Sequence, residues 1–261
     1  MNALNITLPN KVFIEAIKIA QTFNIDGYIK FNDDGILIQN QDPANVSINS
    51  ILIKNESLIK KELLEDMKIF INFEEVYKII KDNKNEDITL QILHSSEYIN
   101  NKADIIYLIL ESFKSELKLL EEEREYISMP LFEHDINFKI DSEKFKEGIK
   151  TLNKICDSSI FKFDYNMIQN TKNFCLQGIN NFKTKIEYPI LMNDITLKKI
   201  NDSFNDTSSF SNEYLNKYVL NIITPDLKVF LSTDYPLLLI QENNAIKYTF
   251  ILAPRIIEEE A

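Results

Sequence analysis

The chain has 261 residues, 44% of them hydrophobic and 26% charged, the balance of a globular protein with a substantial core and far from disorder. A net charge of −11 speaks against a uniformly basic surface, and four glycines (Gly27, Gly35, Gly148, Gly178) in no GxGxxG or P-loop spacing disfavour phosphate-cradling nucleotide enzymes. With no leader-like start and no apolar run of about 18 residues, neither export nor membrane insertion is expected, so the Asn-x-Ser/Thr triplets at Asn5, Asn45, Asn55 and Asn205 read as chance, and Cys156 and Cys175 as buried free thiols of a reducing interior.

The first predicted element is a helix over Asn10–Thr22, where Phe13, Ala16, Ile17 and Ala20 form an apolar stripe and Lys11, Lys18 and Gln21 lie off it. Alternation and β-branched residues predict strands at Gly27–Phe31, Gly35–Gln39 and Val46–Ile53. A second helix, Phe73–Asp82, turns Phe73, Val76 and Ile80 inward and Lys78 and Lys81 outward, and strands follow at Ile88–Leu93 and Ile105–Leu110. Leu119–Glu133 opens on the acidic Glu121-Glu122-Glu123 and closes on Ile127-Ser128-Met129-Pro130-Leu131, an apolar end unusual for a solvated spacer. Ser142 is placed to cap a third helix that packs Phe145, Ile149 and Leu152 and repeats Lys146, Lys150 and Lys154 along another face. Strands are predicted at Ile160–Asp164, Asn173–Ile179 and Lys183–Tyr188. Ser211 is placed to cap a fourth helix with Leu215, Tyr218, Val219 and Ile222 inside and Lys217 outside. Strands at Lys228–Ser232, Leu237–Gln241 and Lys247–Leu252 complete the order.

The chain also repeats itself. A shift of 132 lays Phe13, Glu15, Ile17 and Lys18 on Phe145, Glu147, Ile149 and Lys150, Lys30-Phe31 on Lys162-Phe163, and Ile36 on Ile168. A shift of 139 lays Glu74, Val76, Lys78 and Ile80 on Glu213, Leu215, Lys217 and Val219, and Asp87-Ile88 on Asp226-Leu227. The expected extra length lies in a polar loop around Asn201–Ser211. The fold class is α+β, with two similar tandem domains, 1–118 and 134–261, joined by a connecting loop, 119–133.

On this layout the chain resembles the PCNA family of sliding clamps over essentially its whole length. The residues that carry the resemblance are Phe250-Ile251-Leu252-Ala253-Pro254-Arg255-Ile256 with the acidic tail after it, Asp34-Gly35-Ile36 through Asp42-Pro43-Ala44-Asn45-Val46-Ser47, Lys78-Ile79-Ile80-Lys81 with Asn85-Glu86-Asp87, and Tyr214-Leu215-Asn216. The resemblance implies antiparallel sheets outside and four helices lining the interior of a three-subunit ring. Lys11, Lys18, Lys78, Lys81, Lys146, Lys150, Lys154 and Lys217 would face encircled double-stranded DNA without reading its sequence. It also implies a partner-peptide pocket at Gln41, Asn45, Val46, Ile48, Ile127, Met129, Pro130, Pro236, Ile251, Ala253, Pro254 and Ile256. Gln41 stands where an apolar residue is commoner, Ile251 where an aromatic is frequent, and Glu147 and Leu220 where the family often carries a cation. The implied partners are two further clamp subunits, a clamp loader, and DNA polymerase, flap nuclease and ligase through short peptides. The implied location is the nucleoid of an archaeal cell or the nucleus of a eukaryotic one.

Assembly is expected through edge strands Asp104–Leu110 and Lys172–Ile179 of neighbouring subunits. No enzyme activity, cofactor or metal is expected: His94 and His134, far apart and outside any metal-binding spacing, read as surface or capped residues, and no carboxylates form an acid–base pattern. Three other readings stand beside this one. They are a checkpoint-type heterotrimeric clamp subunit, a small-molecule enzyme on a duplicated α/β scaffold, and a scaffold protein without DNA contact. Any amphipathic helix exposes lysines; their recurrence on four helices is what favours a shared role.

Overall fold

The computed structural model describes residues 2–93, 104–121, 129–166, 171–180, 182–197 and 203–255. These form two compact units, Met1–Met129 with Glu242–Tyr248, and Pro130–Gln241 with Thr249–Ala261. The boundary falls inside the 119–133 connecting segment.

The first unit runs β1 (Asn2–Pro9), α1 (Asn10–Gln21), β2 (Asp26–Asn32), β3 (Gly35–Gln41), β4 (Ser47–Lys54), a 3-10 turn (Asn55–Ser57), β5 (Lys60–Leu63), β6 (Met67–Asn72), α2 (Phe73–Ile80), β7 (Asp87–Leu93), β8 (Ile105–Ile109) and β9 (Lys114–Lys118). Its antiparallel strands lie in the orders β5-β1-β7-β8-β9 and β4-β3-β2-β6. The rest of the chain runs β10 (Ile136–Asp141), α3 (Ser142–Leu152), β11 (Ser158–Asn166), β12 (Thr171–Ile179), β13 (Lys185–Ile190), β14 (Met192–Leu197), β15 (Ser203–Ser211), α4 (Asn212–Val219), β16 (Asp226–Leu231), β17 (Leu237–Glu242) and β18 (Ile246–Leu252), of which Glu242–Tyr248 belong to the first unit. Its orders are β13-β12-β11-β15 and β14-β10-β16-β17-β18. The α+β class with four helices and antiparallel sheets is as expected.

The duplication is visible in matching backbone bonds that tie down each helix start. Asn10 N–H donates to Glu86 O (3.1 Å) as Ser142 N–H donates to Pro225 O (2.8 Å). Phe73 N–H donates to Ile25 O (2.6 Å) as Asn212 N–H donates to Asp157 O (2.9 Å). Most of the extra length, however, is not in the Asn201–Ser211 region. It lies in the β11–β12 hairpin, whose strands have nine residues each against seven in β2 and β3. Its turn is longer too, since Asn166 pairs with Thr171 where Asn32 pairs with Gly35. The structural counterpart of Ile36 is therefore Phe174, because Phe31 pairs with Ile36 as Phe163 pairs with Phe174. Ile168 lies outside the described residues.

Three further expectations are corrected. Asp141, not Ser142, caps α3, its carboxylate accepting from Lys144 N–H at 2.8 Å, while Ser142 is buried in the first turn. Ser211 does occupy the cap position of α4, but its hydroxyl accepts from Arg255 Nη2 (3.3 Å) and makes no cap bond. The strands expected at edges are interior: β8 lies between β7 and β9, and β12 between β11 and β13. Among the described residues the open edges of those sheets are β9 and β13, with β5 and β15 opposite.

The second unit is held by an aromatic core. Phe161 is fully buried, with ring centroids of Phe145, Phe174 and Phe210 at 5.9, 5.8 and 5.1 Å. In the first unit the β2–β3 turn depends on Gly35, whose φ of +136° is strained for any L side chain and whose added Cβ would collide with Ile53 O. Gly35→Ala is expected to cost roughly 2 kcal/mol or more, read as a lower midpoint in urea denaturation.

Candidate nucleic-acid and partner surfaces

In the first unit α1 buries Phe13, Ala16, Ile17 and Ala20 and α2 buries Phe73, Val76 and Ile80, as their spacing requires. Asn10 locks the start of α1 to the end of α2, its Nδ2 donating to Ile80 O (3.1 Å) and Asn83 O (2.9 Å). With the apolar stripes so placed, Lys11, Lys18, Lys78 and Lys81 are all exposed. Lys81 is the C-cap of α2, one residue past its end.

In the second unit α3 buries Phe145, Ile149 and Leu152, and α4 buries Leu215, Tyr218 and Val219; Ile222, expected inside, is half-buried beyond the helix end. Lys150 is exposed, Lys146 and Lys217 are half-exposed. Lys154 is exposed too but follows the C-cap Asn153, so it continues the α3 lysine row only through a turn. Burial pushes the phenol of Tyr218 well up, and its hydroxyl accepts from Gln241 Nε2 at 2.7 Å.

Three of the eight amines are not free. Lys78 pairs with Glu74 (2.8 Å), Lys146 with Glu143 (2.9 Å) and Lys217 with Glu213 (3.0 Å), each within its own helix. Glu147 is tied sideways, to Lys144 (2.8 Å) and to the Tyr188 hydroxyl on β13 (2.9 Å), and these bonds hold its carboxyl below the usual range. Leu220, at the C-cap of α4, is 59% exposed.

The residues expected in a peptide pocket divide between the units. In the first, Gln41 pairs with Ile48 across the β3–β4 hairpin, and the loop between them carries Asn45 and Val46. Asp42 organises this loop: its carboxylate accepts from the N–H groups of Ala44 (3.0 Å), Val46 (2.8 Å) and Ser47, and Asn45 takes a φ of 60°. Met129 is half-exposed. In the second unit Pro130 is exposed, and Pro236, Ala253 and Pro254 are half-exposed. Ile251 is only 4% exposed, so it belongs to the core beneath that surface instead of lining it. Arg255 N–H donates to Ser209 O (2.7 Å), fixing the strand end that carries Ala253 and Pro254. Ile127 and Ile256 lie outside the described residues.

Sequence reasoning missed a neighbouring aromatic group. The Phe132 ring meets Tyr235 at 5.5 Å and His134 at 5.9 Å, beside a fully exposed Leu131. His134 is 4% exposed, with Nε2 2.8 Å from Pro236 O, so it is a buried strut under this surface and not a surface residue. The Tyr235-Pro236 dipeptide was the available signal.

A PCNA of Chaetomium thermophilum is 25% identical to the chain over 267 aligned positions, covering 96% of this chain and 95% of the relative. A DNA polymerase sliding clamp of Methanococcus maripaludis is 25% identical over 228, covering 86% and 88%. Among solved structures, the A. fulgidus PCNA bound to the C-terminal region of FEN-1 superposes with a TM-score of 0.81 at 20% identity, covering 98% of this chain and 100% of that one. The chain is similar to PCNA sliding clamps over nearly its whole length and shares their fold. Entamoeba histolytica PCNA gives a TM-score of 0.79 with the same coverage at 20% identity, whereas no protein-family model matches.

Other features of this PCNA-like chain are structural. Cys156 and Cys175 are free and half-buried, less enclosed than expected, and burial pushes both thiols up, away from reactive thiolate. An open groove of about 770 Å³ in the second unit is lined by residues including Lys162, Asp164, Cys175 and Glu187. Its carboxylates are already occupied, Asp164 by Lys162 (3.1 Å) and Glu187 by Lys185 (2.7 Å). Among the described residues no helix is long and apolar enough to cross a membrane, and no His/Cys/Asp/Glu group could hold a metal ion. His94 lies outside them.

Proposed function

We propose that this chain is one subunit of a DNA sliding clamp, closing with two further subunits, identical or unlike, into a ring around duplex DNA. The observation that carries this reading is that both repeats follow the fold of the A. fulgidus clamp, while every helix turns lysines away from its core. Lysine suits the task. A mobile ammonium offers charge to any phosphate without the rigid fork that reads a base edge, so contact persists while the ring moves along the duplex.

Closure by sheet continuation fits the open edges β9 and β13, one in each unit: joined head to tail between neighbouring subunits, they leave neither exposed. The hairpin loop ordered by Asp42 and the Ala253-Pro254 strand end suit short peptides with apolar anchors, by which polymerase, flap nuclease or ligase would be held near DNA at high effective concentration. The clamp itself does no chemistry in this reading, and ring opening falls to an ATP-driven loader.

The test is topological. The protein, assembled at about three times the 30.5 kDa subunit mass and loaded onto nicked circular DNA, is expected to stay bound until the circle is cut. Equal recovery from circular and linear DNA would reject encirclement. A monomer that forms a ring only with unlike subunits would select the heteromeric version.

A further inference from the structure

Three helices carry the same device. The second residue of α2, α3 and α4 is a glutamate, Glu74, Glu143 and Glu213. Each holds a lysine three or four positions on: Lys78 at 2.8 Å, Lys146 at 2.9 Å and Lys217 at 3.0 Å. These are three of the eight amines proposed to meet DNA. α1 has Lys11 at that position, and its Glu15 acts on Lys18 by charge without a close ion pair among the described residues. We propose that Glu74, Glu143 and Glu213 compete with DNA phosphate for these three amines and so set how weakly the ring grips the duplex it encloses, an inference that rests on the clamp reading.

A lysine bound to a carboxylate one turn away presents a dipole to an approaching phosphate, and its field falls off faster than that of a lone charge. The phosphate must displace the carboxylate before it gains the amine. Exposed pairs of this spacing are weak, each worth a factor of about two in an equilibrium, so the exchange is rapid in both directions. A gripping site needs free amines. A sliding one is served by amines that return to a partner of their own when the backbone moves past, and the ring's topology, not its affinity, keeps it on DNA. An acid in the first turn also favours the helix through its dipole, which is the purely structural alternative.

The two roles separate by experiment. The triple variant Glu74→Gln, Glu143→Gln and Glu213→Gln is loaded on circular DNA alongside the wild type and a control of equal charge gain on exposed loops, Asp33→Asn, Glu56→Gln and Glu65→Gln. Retention is followed as salt is raised, with one-dimensional diffusion measured on stretched DNA. The helix variant is expected to bind a short duplex up to about tenfold more tightly, to diffuse more slowly and to stay on at higher salt than either comparator. A lower melting temperature with unchanged retention would leave the glutamates a helix-stabilising role only and overturn the inference. So would a control variant that gains as much as the helix variant, because net charge would then explain everything. Wild-type protein released equally from circles and lines would sink the clamp reading itself; a wild type held on circles with an unaltered helix variant sinks this inference alone.

Discussion

Asp42→Ala is expected to weaken a docking peptide more than truncation of any one side chain on the face it binds. Asp42 is 2% exposed, so it acts on a peptide only through the loop it orders. Its Oδ1 accepts from Val46 N–H (2.8 Å), Ser47 N–H and Ser47 Oγ (3.2 Å), and its Oδ2 from Ala44 N–H (3.0 Å). Alanine would leave three backbone donors without their acceptor, at a cost of about 3 kcal/mol. The loop would relax by giving up the conformation that holds Asn45 at positive φ and presents Val46. Affinity for a peptide with aliphatic and aromatic anchors is expected to fall roughly ten- to a hundredfold, in the range of hot-spot losses, as measured by calorimetric titration beside a urea melt. Asp42→Asn keeps one oxygen for three of the donors but turns an NH2 toward Ala44 N–H, so it should recover most of the stability and part of the affinity. A peptide that binds Asp42→Ala as tightly as wild type would remove this hairpin from the docking surface.

What could be read from the residues follows the regularity of each element's burial pattern. The four helices were legible because each sets its apolar residues on one stripe, and the ends expected for the first two fell within two residues of their places. The strands not anticipated are β1, β5, β6, β9, β10, β14 and β15. Of these β5, β6, β9, β14 and β15 end their sheets, and a strand with a neighbour on one side only tolerates polar sequences such as Lys60–Leu63 or Lys114–Lys118. β1 and β10 are interior, and the alternations Leu4/Ile6/Leu8 and Ile136/Phe138/Ile140 were available to be read. The same gap misplaced the first assembly edge, since without β9 the strand β8 looks outermost. At the candidate sites, exposure of the lysines followed from helix period alone. The glutamates that hold Lys78, Lys146 and Lys217 sit at ordinary i,i+3 and i,i+4 spacings that pattern cannot tell from solvated charge. The burial of His134 depended on rings brought from Phe230 and Tyr235, which are distant in sequence.

Replacing Lys78, Lys81, Lys146 and Lys150 together by alanine is expected to shorten residence on circular DNA on the order of tenfold or more at moderate salt. Two of the four, Lys78 and Lys146, share their charge with a glutamate, whereas Lys81 and Lys150 have no such pair among the described residues. Their removal leaves Glu74 and Glu143 uncompensated, so the helix face changes from near-neutral to repulsive toward phosphate. For every phosphate no longer neutralised, the dependence of log affinity on log salt should also flatten by about 0.9, and that slope distinguishes loss of charge from loss of shape. The fold should survive, because all four side chains lie off the stripes that bury Val76, Ile80, Phe145 and Ile149. Ring mass and peptide affinity are therefore expected to match wild type. A variant that loses its ring mass would assign these lysines to packing, and one that keeps both its residence time and its salt slope would move the DNA to another surface altogether.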